Sequence, residues 1–142
     1  MVSLNKEGDY WDFKQTHHSS NSLEKAKLVH DIICLANNVR HKGDRYLVFG
    51  ISNDFDAVGV ENDKNRRRQS DIIDILRGAQ FAGGIHPDVM LETIEINKKE
   101  IDVLTIKDTQ DKPCYLEKHI KDKDKIILSA GTIYTRTLDA NK

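Results

Sequence analysis

The segment RYLVFGIS, Arg45 to Ser52, restricts the fold of this chain more than any other. It is short, apolar and rich in β-branched and aromatic residues, the pattern of a largely buried central strand. A strand of that kind needs partners and cover, and its surroundings supply both. Ahead of it, LEKAKLVHDIICLANN repeats Leu23, Ala26, Val29, Ile32, Ile33 and Ala36 at helical spacing, with Glu24, Lys25, Lys27 and Asp31 outside the stripe. Asn21 or Ser22 stands in front as the N-cap. Behind the strand, NDFD is a turn that returns into AVGV and predicts a hairpin. A second helix is expected near Arg68 to Gln80, because Ile72, Ile75, Leu76 and Ala79 share a face and Gly83-Gly84 stops it. From Asp88 onward strands take over. DVMLETIEIN and EIDVLTIKD flank an NKK turn as a second hairpin, and PCYLEKH and GTIYTRT read as shorter strands around a charged KDKDK tip. With a first strand over Asp9 to Thr16, the order is strand, helix, hairpin, helix and further strands. That order predicts an α+β fold with a mixed or antiparallel sheet and two main helices.

A length of 142 residues suits one domain over residues 1–142. No run approaches the roughly 18 consecutive apolar residues of a membrane span, and the N-terminus lacks the apolar core of a signal peptide. Cys34 and Cys114 stand far apart without a CxxC partner, which argues against a disulfide framework or a structural zinc site and for a cytoplasmic chain. Lys and Arg total 22 against 23 Asp and Glu, so attraction to an anionic partner must come from local clusters. No P-loop, nucleophile elbow or dinucleotide fingerprint occurs. Enzyme chemistry, if the chain has any, reduces to metal and phosphate.

The stretch EGDYWDFK, Glu7 to Lys14, is the first such cluster. With the strand period of two, Tyr10, Asp12 and Lys14 share one face while Trp11 and Phe13 share the other. An exposed, salt-bridged strand accounts for this pattern by itself. Three features point further: Glu7 precedes Asp12 across the flexible Gly8, the NDFD turn adds Asp54 and Asp56 after the central strand, and carboxylates beside a lysine suit a divalent cation acting on phosphate esters. The segment NDKNRRRQSD supplies the second cluster. Arg66, Arg67 and Arg68 enter the second helix where the macrodipole disfavours cations by roughly 0.3–1 kcal/mol each, and a phosphate bound there relieves that conflict. The alternative is a solvated basic loop before a helix that starts at Ser70, with Asp71 and Asp74 restoring the usual charge order. Arg136, on the same strand face as Tyr134, is a further candidate phosphate contact. His17 and His18 lie in a polar linker and read as surface residues.

These residues also carry a resemblance. Glu7, Asp12, Phe13 and Lys14, a helix ending in LANN, YLVFGISND with Gly59 after it, and the closing GTIYTR from Gly131 to Arg136 together resemble the AlbA-like Schlafen domain, often labelled DNA-binding. The resemblance implies an α+β fold that binds nucleic acid. In nuclease-active members it also implies a three-carboxylate site that cleaves structured RNA, such as tRNA, with a divalent metal. Glu7 and Asp12 match the first two carboxylates and Lys14 the lysine after them. The third shifts to Asp54, or to Asp56, because Ser52 and Asn53 occupy the place directly after the strand, and NVRHKGDR replaces a common double glycine. On that pattern Glu7, Asp12 and Asp54 hold Mg²⁺ or Mn²⁺ while Lys14 neutralises a phosphate oxygen. Three functions follow: nucleic-acid binding through Lys14, Arg66, Arg67, Arg68 and Arg136; metal-dependent endoribonuclease activity; or a protein-interaction or oligomerisation module. Separately, the internally duplicated Schlafen core suggests by resemblance a homodimer in which two copies make a groove. Phosphate contacts alone do not separate DNA from RNA. The end at DANK, directly after the last expected strand, suggests a domain of a longer chain or a minimal family member.

Overall fold

Asn21 opens the first helix, its Oδ1 accepting the Glu24 N–H at 2.8 Å and so satisfying one of the free amides of the first turn. In the computed structural model, which describes residues 10–38, 42–110, 112–137 and 140–141, this helix α1 spans Ser22–Ala36 between strands β1 (Trp11–Lys14) and β2 (Arg45–Phe49). Then follow α2 (Gln69–Gly78), a 3₁₀ turn at Ala82–Gly84, and strands β3 (Val89–Ile96) and β4 (Lys99–Ile106). Two short hairpins close the chain, β5 (Ile120–Asp122) with β6 (Lys125–Leu128) and β7 (Arg136–Thr137) with β8 (Ala140–Asn141).

The main sheet has the order β1-β2-β4-β3, with β1 parallel to β2 and the other pairs antiparallel. It is a mixed sheet with RYLVF inside it, as expected of a segment with no polar face. The β3–β4 turn is two residues long, and Asn97 and Lys98 both take positive φ (51° and 65°), the twist that suits a tight hairpin. Register puts Asp12, Leu47, Leu104 and Leu91 in one row across the sheet, and Lys14, Phe49, Asp102 and Thr93 in the next row of the same face. Both helices cover that face: Leu28, Ile32 and Ile33 of α1 and Ile72 and Leu76 of α2 bury against Leu47, Phe49 and Leu104. Each such side chain contributes about 1.5–3 kcal/mol on burial. The opposite face carries a second cluster of Trp11, Phe13, Val48, Ile101 and Val103.

The structure departs from the sequence reading at three places. AVGV forms an isolated bridge between Ile51 and Ala57 rather than a strand. The third hairpin lies inside the charged run, because Ile120, Ile127 and Leu128 pack on the core and leave only Lys123 and Asp124 at the tip; PCYLEKH contributes one bridge, Leu116 to Phe81, and GTIYTRT only Arg136–Thr137. Asp31 belongs to the buried face of α1, with 6% of its surface exposed, for a reason that lies at the site.

Gly50 ends β2 at φ +111°, where an added Cβ would stand 2.9 Å from Ile101 Cδ1 and 3.3 Å from the Gly59 Cα. Gly50→Ala is therefore expected to cost about 2 kcal/mol, read as a lower denaturant midpoint with an unchanged slope.

Candidate functional site

The end of β1 is fixed by the turn that leaves β2: the Lys14 carbonyl accepts both the Gly50 and the Ile51 N–H, at 2.7 and 3.1 Å. This holds Asp12 and Lys14 on the helix-covered face. A buried carboxylate is costly unless it is paired, and Asp12, 4% exposed, has Lys14 Nζ at 3.5 Å and an Arg136 guanidinium nitrogen at 3.8 Å. Arg136 also donates to the Trp11 carbonyl at 3.3 Å. On its other side Lys14 Nζ lies 3.6 Å from Asp31 of α1, whose carboxylate accepts from His18 Nε2 at 2.8 Å. Burial pushes the Asp31 carboxyl up, but the His18 hydrogen bond and the Lys14 charge outweigh it and hold the group below its ordinary value.

Phe49 separates this group from a second one. The His17 ring stacks on Phe49 at 4.1 Å and 13°, and its Nε2 donates to Asp102 at 2.8 Å. Asp102 also accepts from Arg66 at 2.9 and 3.0 Å and from the Thr93 hydroxyl at 2.7 Å, while Arg66 reaches Glu100 at 2.7 Å. Burial raises the Asp102 carboxyl, and the hydrogen bonds from His17, Arg66 and Thr93 reverse this, leaving it well below the usual carboxylate range. The two groups join through the backbone of the linker: Asp63 accepts the His17 N–H at 2.7 Å, and Arg67 donates to the carbonyls of His18 and Ser19 at 2.5 and 2.9 Å.

The structure thus brings Asp12, Lys14 and Arg136 together from opposite ends of the chain. Glu7 lies outside the described residues. Asp54 and Asp56 stand exposed on the turn after β2, and Phe55 between them meets Phe13 edge to face, on the side of β1 away from Asp12. Among the described residues no three His, Cys, Asp or Glu side chains converge as a metal ligand set. Of the three arginines, Arg66 and Arg67 point inward to fixed partners, and Arg68, the N-cap of α2, has a side chain 85% exposed. The histidines taken as surface are a correction: His17 is 2% exposed, and the His18 side chain 8%. The adjacent His-His pair ahead of the helix was the available signal, and without Asp31, Phe49 and Asp102 in view it could not be completed.

Two clefts open over this network. One, of about 340 Å³, is lined by Lys14, His18, Lys27, His30, Glu24 and Asp31. The other, of about 380 Å³, lies between the starts of α1 and α2 and is lined by Ser20, Lys25, Lys64, Arg67, Asp71 and Asp74.

Fold and site together define a mixed α+β domain in which a parallel strand-helix-strand unit carries a buried ion-pair network to a lysine-fringed cleft. The chain belongs to the Schlafen AlbA_2 family, whose description "Schlafen, AlbA_2" matches residues 7–142. Two solved structures are similar. The DIP2311 protein from Corynebacterium diphtheriae aligns at 16% identity and a TM-score of 0.49, over 94% of this chain and 22% of its own. This chain thus spans about a fifth of that protein. The N-terminal domain of a protein described as related to the ATP-dependent DNA helicase RecG, from Nitrosomonas europaea, aligns at 17% identity and a TM-score of 0.44, over 92% and 82% of the two chains. No curated protein matches the sequence. Among the described residues no helix is long and apolar enough to cross a membrane.

Proposed function

We propose that this domain binds nucleic acid through the phosphate backbone, at the cleft where the starts of α1 and α2 meet. Membership of the Schlafen AlbA_2 family supports the reading, and one observation supports its placement: Lys25 and Lys64 line a cleft between two helix N-termini that Arg67 ties together, with the exposed Arg68 at the start of α2. Free amides at helix starts and exposed lysines both favour phosphate oxygens. Asp71 and Asp74 on the same rim oppose phosphate, so binding is expected to be moderate and strongly salt-dependent. Lys14 and Lys27 of the neighbouring cleft extend the track, whereas Arg66 and Arg136 support it from inside. The test is fluorescence anisotropy with labelled tRNA and with single- and double-stranded DNA over a salt series. The triple variant Lys25→Glu, Lys64→Glu, Arg68→Glu is expected to bind at least about tenfold more weakly on every substrate, with a shallower slope of log K against log salt. Equal binding by variant and wild type would refute the placement.

Metal-dependent ribonuclease activity is the second reading, favoured by Asp12 and Lys14 side by side on one face. Its ligands would be Glu7, Asp12 and Asp54, with Mg²⁺ or Mn²⁺ supplying an activated water. The described members fit this poorly: Asp12 is already paired with two cations, Lys14 and Arg136, and Asp54 is exposed on a separate turn. Cleavage of tRNA that requires Mn²⁺ or Mg²⁺, stops with EDTA and is lost in Asp12→Asn would establish it.

A further inference from the structure

We propose that the free edge of β3 docks an extended, basic segment of another protein as an added strand. The sheet ends at β3, and the hairpin register decides which of its amides point outward. With Ile96 opposite Lys99 across a two-residue turn, Ile94 and Glu92 bond to β4, so Leu91, Thr93 and Glu95 present their N–H and C=O groups to the outside. The N–H of Leu91 is closed by Gln69 Oε1 of α2 at 2.9 Å. Those of Thr93 and Glu95 have no partner among the described residues, and both residues are exposed. The other edge of the sheet differs, since on β1 the Trp11 carbonyl is taken by Arg136. The open length is therefore Glu92 to Ile96, bounded by the Gln69 cap and by the Asn97-Lys98 turn.

The side chains along this length select the occupant. Glu95 projects on the helix-covered face beside Thr93, while Glu92 and the half-buried Ile94 and Ile96 project on the other, where the two isoleucines extend the cluster of Trp11 and Phe13. An antiparallel partner running opposite Glu95, Ile94, Thr93 and Glu92 is complementary when it reads basic, apolar, small polar, basic. The exposed glutamates repel a phosphate backbone, so this edge is a different surface from the lysine-fringed cleft. They also oppose pairing of β3 with β3 of a second copy, which gathers two acids from each chain at one junction.

The probe is a labelled peptide whose centre reads Lys-Val-Thr-Lys, compared with its Glu-Val-Thr-Glu twin, by anisotropy and by amide hydrogen exchange of the full chain. The basic peptide is expected to bind at least about tenfold more tightly than its twin and to slow exchange at Thr93 and Glu95 about tenfold or more. Glu92→Lys with Glu95→Lys is expected to invert the preference. Glu95→Pro, which an outward-facing edge position tolerates, is expected to abolish docking while the circular dichroism spectrum stays unchanged. Equal affinity for the two peptides, or unchanged exchange at Thr93 and Glu95 under saturating basic peptide, would overturn the proposal. So would a concentration-dependent dimer that protects the same amides without peptide, which would make the edge an interface between copies of this chain.

Discussion

Asp102→Ala is expected to lower the unfolding free energy by about 3–5 kcal/mol, because it strips the shared acceptor from three donors in a buried network. Asp102 is 1% exposed and receives His17, Arg66 and Thr93 at once. Its removal leaves the His17 ring against Phe49 with its Nε2 unpaired, and leaves Arg66 with Glu100 as its remaining carboxylate. Desolvation of those groups dominates the cost, since the net value of each intact hydrogen bond is smaller than the penalty of leaving a partner unmade. The pH dependence gives an independent readout. A carboxyl held below its ordinary value of 3.8 contributes stability that is complete above that value and lost as pH falls below it towards the folded-state value. Wild-type stability should therefore decline steeply on the acid side, and Asp102→Ala should decline less steeply there, starting from a lower plateau. Urea midpoints at neutral pH and through the acid limb test both statements. A variant within about 1 kcal/mol of wild type at neutral pH, with the same acid slope, would mean that the network is incidental to folding.

The same network shows why the fold was more legible than the site. Local periodicity determined α1, α2, β2 and the β3–β4 hairpin, because a helical stripe and an unbroken apolar run each carry their own spacing. The site depends on residues far apart in sequence. Asp12 and Lys14 sharing a face was readable from the period of two, but their cationic partner Arg136 arrives from the last part of the chain, and Asp102 of β4 meets His17 past Phe49 of the intervening strand β2. The triple arginine was hard to read for a related reason. A run of like charges reads as solvated or ligand-binding, yet here Arg66 serves Asp102 and Arg67 serves two carbonyls, so Arg68 is the one left outward. Asp31 follows the same rule: it looked like a solvent-side helix residue until Lys14 and His18 supplied the charge and the hydrogen bond that let it turn inward.

Asn37→Ala is expected to cost about 3 kcal/mol, the second largest effect foreseen for this domain. LANN ends α1, and its first asparagine, 4% exposed, does more than terminate the helix. Its Oδ1 accepts the Cys114 N–H at 2.7 Å while its Nδ2 donates to the Cys114 and Tyr134 carbonyls at 2.8 and 2.9 Å. One side chain therefore satisfies both backbone groups of residue 114 and ties two segments without regular structure to the end of the helix. No other residue type has a donor and an acceptor of that reach in one plane. Asn37→Asp keeps the volume but loses the donor and turns an oxygen toward two carbonyls, so it should destabilise at least as much as alanine. That comparison separates the hydrogen bonds from simple packing. Hydrogen exchange supplies the location: the Cys114 amide should exchange faster in both variants while amides in the first half of α1 keep their protection. If alanine instead stays within about 0.5 kcal/mol of wild type and the Cys114 amide remains protected, those segments are held by the hydrophobic contacts of Leu116 and Tyr134 with the core, and the asparagine only caps the helix.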